Sequence, residues 1–131
     1  MARRLLTVVV ALASVASLSA CGSRSIGVAK SSPDYQGAKL FADRCSGCHT
    51  LDKVGAEGSA TKVRDRERVD GPNFNVRKEQ VDQVLYAIRN GGFSGAIMPE
   101  NIVVGREAQA VAKFLAKYSG TQAKRPPTPN G

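Results

Sequence analysis

Apolar positions recur with helical spacing in three separate windows of this chain. In "DYQGAKLFADRC" the residues Ala38, Phe41, Ala42 and Cys45 fall at i, i+3, i+4 and i+7, the stripe that buries one face of an α-helix. Ser32 stands ahead of it as a capping residue, with Pro33 at the first helical position, where a missing N–H costs nothing. "KEQVDQVLYAIRNGG" carries Val81, Val84, Leu85 and Ile88 on the same template. Asn90-Gly91-Gly92 ends it, because glycine takes the left-handed C-terminal conformation freely. In "REAQAVAKFLAKYSG" the stripe is Val111, Phe114, Leu115 and Tyr118, closed by Gly120. No segment alternates with strand period, so the pattern predicts an all-α domain of three helices and short turns. Between the first two helices, "DKVGAEGSATKVRDRERVD" (Asp52 to Asp70) has few large apolar residues and charges of both signs. It reads as a solvated loop, with a short helical turn within "TKVRDRER".

The ends follow other patterns. "MARRLLTVVVALASVASLSAC" has a positive start, then an uncharged apolar run to Ala20, the layout of an export signal over residues 1–20. That run is shorter than the roughly 20 apolar residues that span a bilayer comfortably. "LSAC" (Leu18 to Cys21) resembles the bacterial lipobox, and the likeness implies that Cys21 becomes the lipidated first residue of the mature chain, anchored through acyl chains. "GSRSIGVAKSS" (Gly22 to Ser32) reads as a flexible tether of roughly 18 Å. "TQAKRPPTPNG" (Thr121 to Gly131) reads as a disordered, Pro-rich, basic tail. The folded domain is then 33–120, small enough that a cofactor would help complete its core.

Charge narrows the partners. The 131 residues hold 19 Lys and Arg against 11 Asp and Glu, a net +8. Loss of Arg3 and Arg4 with the leader leaves 17 cations against 11 acids, or +6. Export makes nucleic acid an unsuitable partner, so the balance points to an acidic protein or anionic lipid headgroups.

The candidate chemistry lies in "FADRCSGCHT". Two of the three cysteines, Cys45 and Cys48, stand beside His49, the single histidine. Structural zinc needs four ligands, and the chain offers no second pair. A thioredoxin-like dithiol expects a βαβ setting, whereas the surroundings are helical. A plain disulfide leaves His49 unexplained. C-x-x-C-H is also the attachment motif of c-type haem. Spacing of i, i+3 and i+4 puts all three side chains on one side of a helical turn, so two thiols reach two vinyl groups and the imidazole reaches the iron. Met98 is the remaining thioether once Met1 leaves with the leader. It lies in "GGFSGAIMPEN", where Pro99 biases it toward extended geometry, and it is the candidate for the other axial position.

With these motifs in place, residues from about Tyr35 to Ser119 resemble a class I, single-haem cytochrome c. "CSGCH" matches the attachment site and "IMP" the distal methionine. "GAKLF" resembles the Gly-x-x-x-aromatic pattern of that family's first helix. The likeness implies that Gly37 and Phe41 pack against Phe114 and Leu115 of the last helix. "GPNF" resembles the family's Gly-Pro segment, which implies that the Pro72 carbonyl accepts a hydrogen bond from His49 Nδ1. The resemblance implies one covalent haem c per chain, bound by Cys45, Cys48, His49, Pro72 and Met98, with His49 and Met98 on the iron. The expected role is an electron carrier, not an enzyme, passing single electrons between respiratory redox proteins at the extracytoplasmic face of a bacterial membrane. Lys39, Lys53 and Lys62 are the candidate docking cations. Two alternatives stay open: a haem c subunit of a larger oxidoreductase or oxidase, and a sensor or peroxidase if Met98 does not bind iron.

Overall fold

The computed structural model describes residues 25–60, 62–93 and 97–122. The export signal, Cys21 and the tail from residue 123 onward lie outside the described residues. Three helices dominate: α1 (Tyr35–Arg44), α2 (Val81–Asn90) and α3 (Gly105–Tyr118). Two single 3-10 turns cover Asp52–Val54 and Val63–Asp65, the second within the segment expected to turn. One feature is not helical. Strands β1 (Thr50–Leu51) and β2 (Ala56–Glu57) pair antiparallel, with Leu51 opposite Ala56. Two residues per strand are too few to show a period-2 pattern in the sequence.

The helices bury the predicted stripes. Phe41 and Phe114 are almost fully buried and their rings meet at 6.0 Å. Val84 and Ile88 of α2 and Val111 and Leu115 of α3 complete the same core. α2 opens on a reciprocal capping box between Gln80 and Gln83 and closes on Gly91 at φ +68°, the stop expected there. α1 starts two residues later than Pro33. Asp34 takes the cap position without a side-chain cap bond, because its carboxylate is occupied elsewhere: Lys117 Nζ lies 2.5 Å away and the Tyr118 hydroxyl donates at 3.2 Å.

That engagement gives a pH dependence. The hydrogen bond from Lys117, with a further one from Tyr118, holds the Asp34 carboxyl below the ordinary carboxylate range against the opposing effect of its burial. A carboxyl depressed in the folded state stabilises the fold at all pH values above its unfolded pKa, about 3.9, and loses that contribution as pH falls toward the folded value. Asp34→Asn should therefore lower the melting temperature at neutral pH, and the gap to the native protein should shrink as pH falls below about 4.

α1 crosses α3 at Gly37. A Cβ there would lie 2.3 Å from the Ala110 carbonyl oxygen and 2.7 Å from Phe114 Cβ, so only glycine permits this approach. Gly37→Ala gains about 1 kcal/mol of helix propensity but forces α1 off a backbone carbonyl, an overpacking cost of about 1–3 kcal/mol. A net loss of stability in urea unfolding of the holoprotein is the expected result.

Contacts reach beyond the expected domain bounds at both ends. The second half of the tether, from Ile26 onward, is docked on the domain. Val28 is buried, Ile26 packs on the core, and the Gly27 N–H donates to the Lys53 carbonyl at 2.8 Å. Two apolar side chains flanking a hydrogen-bonded glycine outweigh the polar composition around them. At the other end, the Gln122 N–H donates to the Asn75 carbonyl at 2.7 Å and its side chain to Asp52 at 2.8 Å, so the ordered chain continues past Gly120. The segment from Asp52 is likewise no simple solvated loop. Val54 and Ala56 are fully buried, and the loop's later half reaches the site described next.

Candidate functional site

The C-x-x-C-H turn hangs from the end of α1. Cys45 caps the helix, and its carbonyl accepts from the N–H groups of Cys48 (3.2 Å) and His49 (3.0 Å). These i+3 and i+4 bonds keep a single helical turn beyond the helix proper, so the three side chains stay together as the spacing predicts. No disulfide joins Cys45 and Cys48, so both sulfurs are available for attachment. Among the described residues no three His, Cys, Asp or Glu side chains form a metal-holding group.

A second segment is laid alongside this turn. The Gly71 N–H donates to the Cys48 carbonyl at 2.7 Å, and the Phe74 N–H to the Thr50 carbonyl at 2.9 Å. Between them, His49 Nδ1 lies 3.1 Å from the Pro72 carbonyl oxygen. A carbonyl only accepts, so Nδ1 carries the proton and Nε2 is left with its lone pair free. Burial pushes the His49 imidazole below the ordinary histidine range; the Pro72 bond opposes this, and Arg77 adds to the depression. The ring is thus held neutral in one tautomer, the form that ligates a metal. Before attachment, burial, reinforced by Cys48, pushes the Cys45 thiol up to about 12.

Cys45, Cys48, His49 and Met98 all line one cavity of about 400 Å³, within the ~300–1,000 Å³ of typical ligand pockets. Its walls are the aromatic rings of Phe41 and Phe74 and aliphatic side chains of α2 and α3, including Val84, Ile88 and Leu115. Met98 is partly buried against the core. Its loop is drawn back to α2 by the Asn101 N–H, which donates to the Ile88 carbonyl at 2.7 Å. Two thiols, a neutral imidazole and a thioether around an apolar slot form a donor set suited to haem. Of the site residues read from the sequence, all five described ones, Pro72 included, come to this cavity.

The cations differ from those expected. Lys39 pairs with Asp43 at 2.5 Å, Lys53 lies over the Tyr118 ring, and none of Lys39, Lys53 and Lys62 lines the cavity. Arg44, Arg66, Arg68 and Arg77 do. Arg77 is paired to the buried Glu79 at 2.6 Å. Arg66 and Arg68 come from the charged loop, whose sequence shows its charge but not its direction. Phe74 and Gly71 were also beyond sequence reading; their signal was their place in "GPNF", each side of the Pro72–Asn73 pair.

The cytochrome c family profile matches residues 35–119, well over half of the chain. The crystal structure of the c-type cytochrome SorU from Sinorhizobium meliloti is similar, with a TM-score of 0.53 at 30% sequence identity, over 71% of this chain and 97% of that one. No curated protein matches the chain.

Proposed function

The chain belongs to the cytochrome c family, and on that premise we propose that it is a class I, single-haem electron carrier held by a lipid on Cys21 at the extracytoplasmic face of a bacterial membrane. Covalent haem c is the cofactor of this family, and electron transfer through it is the function. When bound, haem c supplies one-electron exchange between ferric and ferrous iron. The observation that carries the finer reading is the convergence of His49 and Met98 with Cys45 and Cys48 on one apolar cavity.

The chain's own groups have distinct tasks in this reading. Cys45 and Cys48 provide the two covalent attachments. The Pro72 carbonyl fixes the Nδ1–H tautomer and raises the donor strength of Nε2. Met98 would supply the second protein donor to a bound haem, and with both donors engaged no position would remain for oxygen, peroxide or substrate, which is what would separate a carrier from an enzyme. The largely apolar walls limit contact with water, and Met/His ligation would favour a raised reduction potential.

Partner and membrane follow from charge and reach. Arg44, Arg66 and Arg68 line the cavity, so an acidic redox protein would be steered to that side. With Ile26 packed on the domain, only Gly22 to Ser25 separate it from Cys21. Four residues span at most ~14 Å, so a lipid on Cys21 would hold the carrier against the headgroups. Metabolic labelling with palmitate tests the anchor. Cys21→Ser should lose the label and leave the membrane fraction with its haem intact; label retained in that variant contradicts the anchor.

A further inference from the structure

We infer that Phe74 sets the rotational orientation of the His49 imidazole, and so the plane that the ring presents to the iron. The inference rests on His49 being an axial ligand, as proposed above. A histidine ring turns about a broad, roughly two-fold torsion, so the His49 backbone does not fix it. The Pro72 bond holds one edge, at 3.1 Å, and the Phe41 ring lies tilted to the imidazole at a centroid distance of 6.4 Å, so neither contact lies flat on a ring face.

Phe74 supplies what the hydrogen bond lacks. Its ring stacks on the imidazole with centroids 4.7 Å apart and planes 16° from parallel. Phe74 is itself immobilised. It is 7% exposed, its N–H donates to the Thr50 carbonyl at 2.9 Å, and its carbonyl accepts from the Gly120 N–H at 2.8 Å. Phe41 meets its ring edge-on at 6.0 Å. Gly71 closes the space further. A Cβ on it would lie 2.3, 2.5 and 2.8 Å from His49 Cε1, Nδ1 and Nε2. Three such similar distances put that methyl over the ring face, so the Gly71 backbone already borders the imidazole.

An aliphatic residue at position 74 would fill the volume but offer no flat surface. The imidazole plane decides which iron d orbital overlaps the ring π system, and that anisotropy is read by the NMR shifts of the four haem methyl groups in the ferric protein. Phe74→Leu and Phe74→Met should change the order and spread of these four resonances, whereas Phe74→Tyr should keep the native pattern. Phe114→Leu is the control: it removes a ring from the same core that, among the described residues, pairs with Phe41 and Tyr118 but not with the His49 ring, and should leave the pattern in place. An unchanged pattern in the Leu and Met variants overturns the inference. So does a change in Phe114→Leu or Phe74→Tyr as large as theirs. If Leu and Met yield no holoprotein while Tyr and Phe114→Leu do, the requirement for a ring stands. If Tyr also yields none, volume and not stacking is what position 74 provides, and the inference fails. Failure of the underlying reading looks different: the native protein would then lack the low-spin signature of a His49-bound iron before any variant is made.

Discussion

Replacing both Cys45 and Cys48 by Ser is expected to leave no haem attached to the chain, and almost no folded protein. The first loss is chemical, since a hydroxyl is not the nucleophile that forms a thioether with a vinyl group. The second follows from packing. An apolar cavity costs on the order of 24 cal/mol per Å³. For the cavity of about 400 Å³ that scale gives roughly 10 kcal/mol as an upper bound, because this one opens to solvent. Native domains are stable by only about 5–15 kcal/mol. Even a third of the bound would remove much of the stability, so the cofactor is part of the core. A pyridine haemochrome assay on exported protein measures the first effect, and the circular dichroism melt of whatever accumulates measures the second. Each single Ser variant should keep one thioether and fall between the extremes.

Met98→Ala is expected to have the next largest effect, on redox chemistry more than on fold. Met98 is only partly buried and sits on a loop, so its loss removes modest packing. It does remove the one thioether among the described cavity residues. The iron would then keep His49 alone from the protein, with a position open to water or added ligands. The reduction potential should fall by on the order of a tenth of the ~0.8 V span that axial ligation covers. The ferric protein should also begin to bind cyanide or imidazole rapidly. Potentiometric titration and ligand-binding spectra read both changes. An unaltered potential and no new ligand binding would remove Met98 from the iron.

These residues were legible in the sequence for different reasons. Cys45, Cys48 and His49 lie within five positions, so local helical geometry alone brings them together. The three helices were legible because each buries one face, and burial on one face imposes the 3.6-residue period. Met98 stood out by count, as the one candidate thioether left after the leader. The Gly37–Phe114 contact and the Pro72–His49 bond came from resemblance to a known family, and the geometry agrees with both. What the sequence hid is non-local. The pairing of residues 71–74 with 48–50 runs through backbone bonds, which leave no side-chain pattern, so the clamp of Gly71 and Phe74 on His49 could not be read. Ile26 and Val28 were masked by the Gly and Ser around them. The charged loop declared its charges but not that Arg66 and Arg68 face the cavity, while Lys39 and Lys53 are engaged elsewhere.

The central claim is a six-coordinate haem c with His49 and Met98 on its iron. The most direct test is the optical and near-infrared spectrum of the purified native protein in both oxidation states, followed through a potentiometric titration. The account predicts one covalent haem per chain, low-spin in both states, a methionine-to-iron charge-transfer band in the ferric form, and a single reversible one-electron wave. A five-coordinate, high-spin ferric spectrum without that band would contradict it.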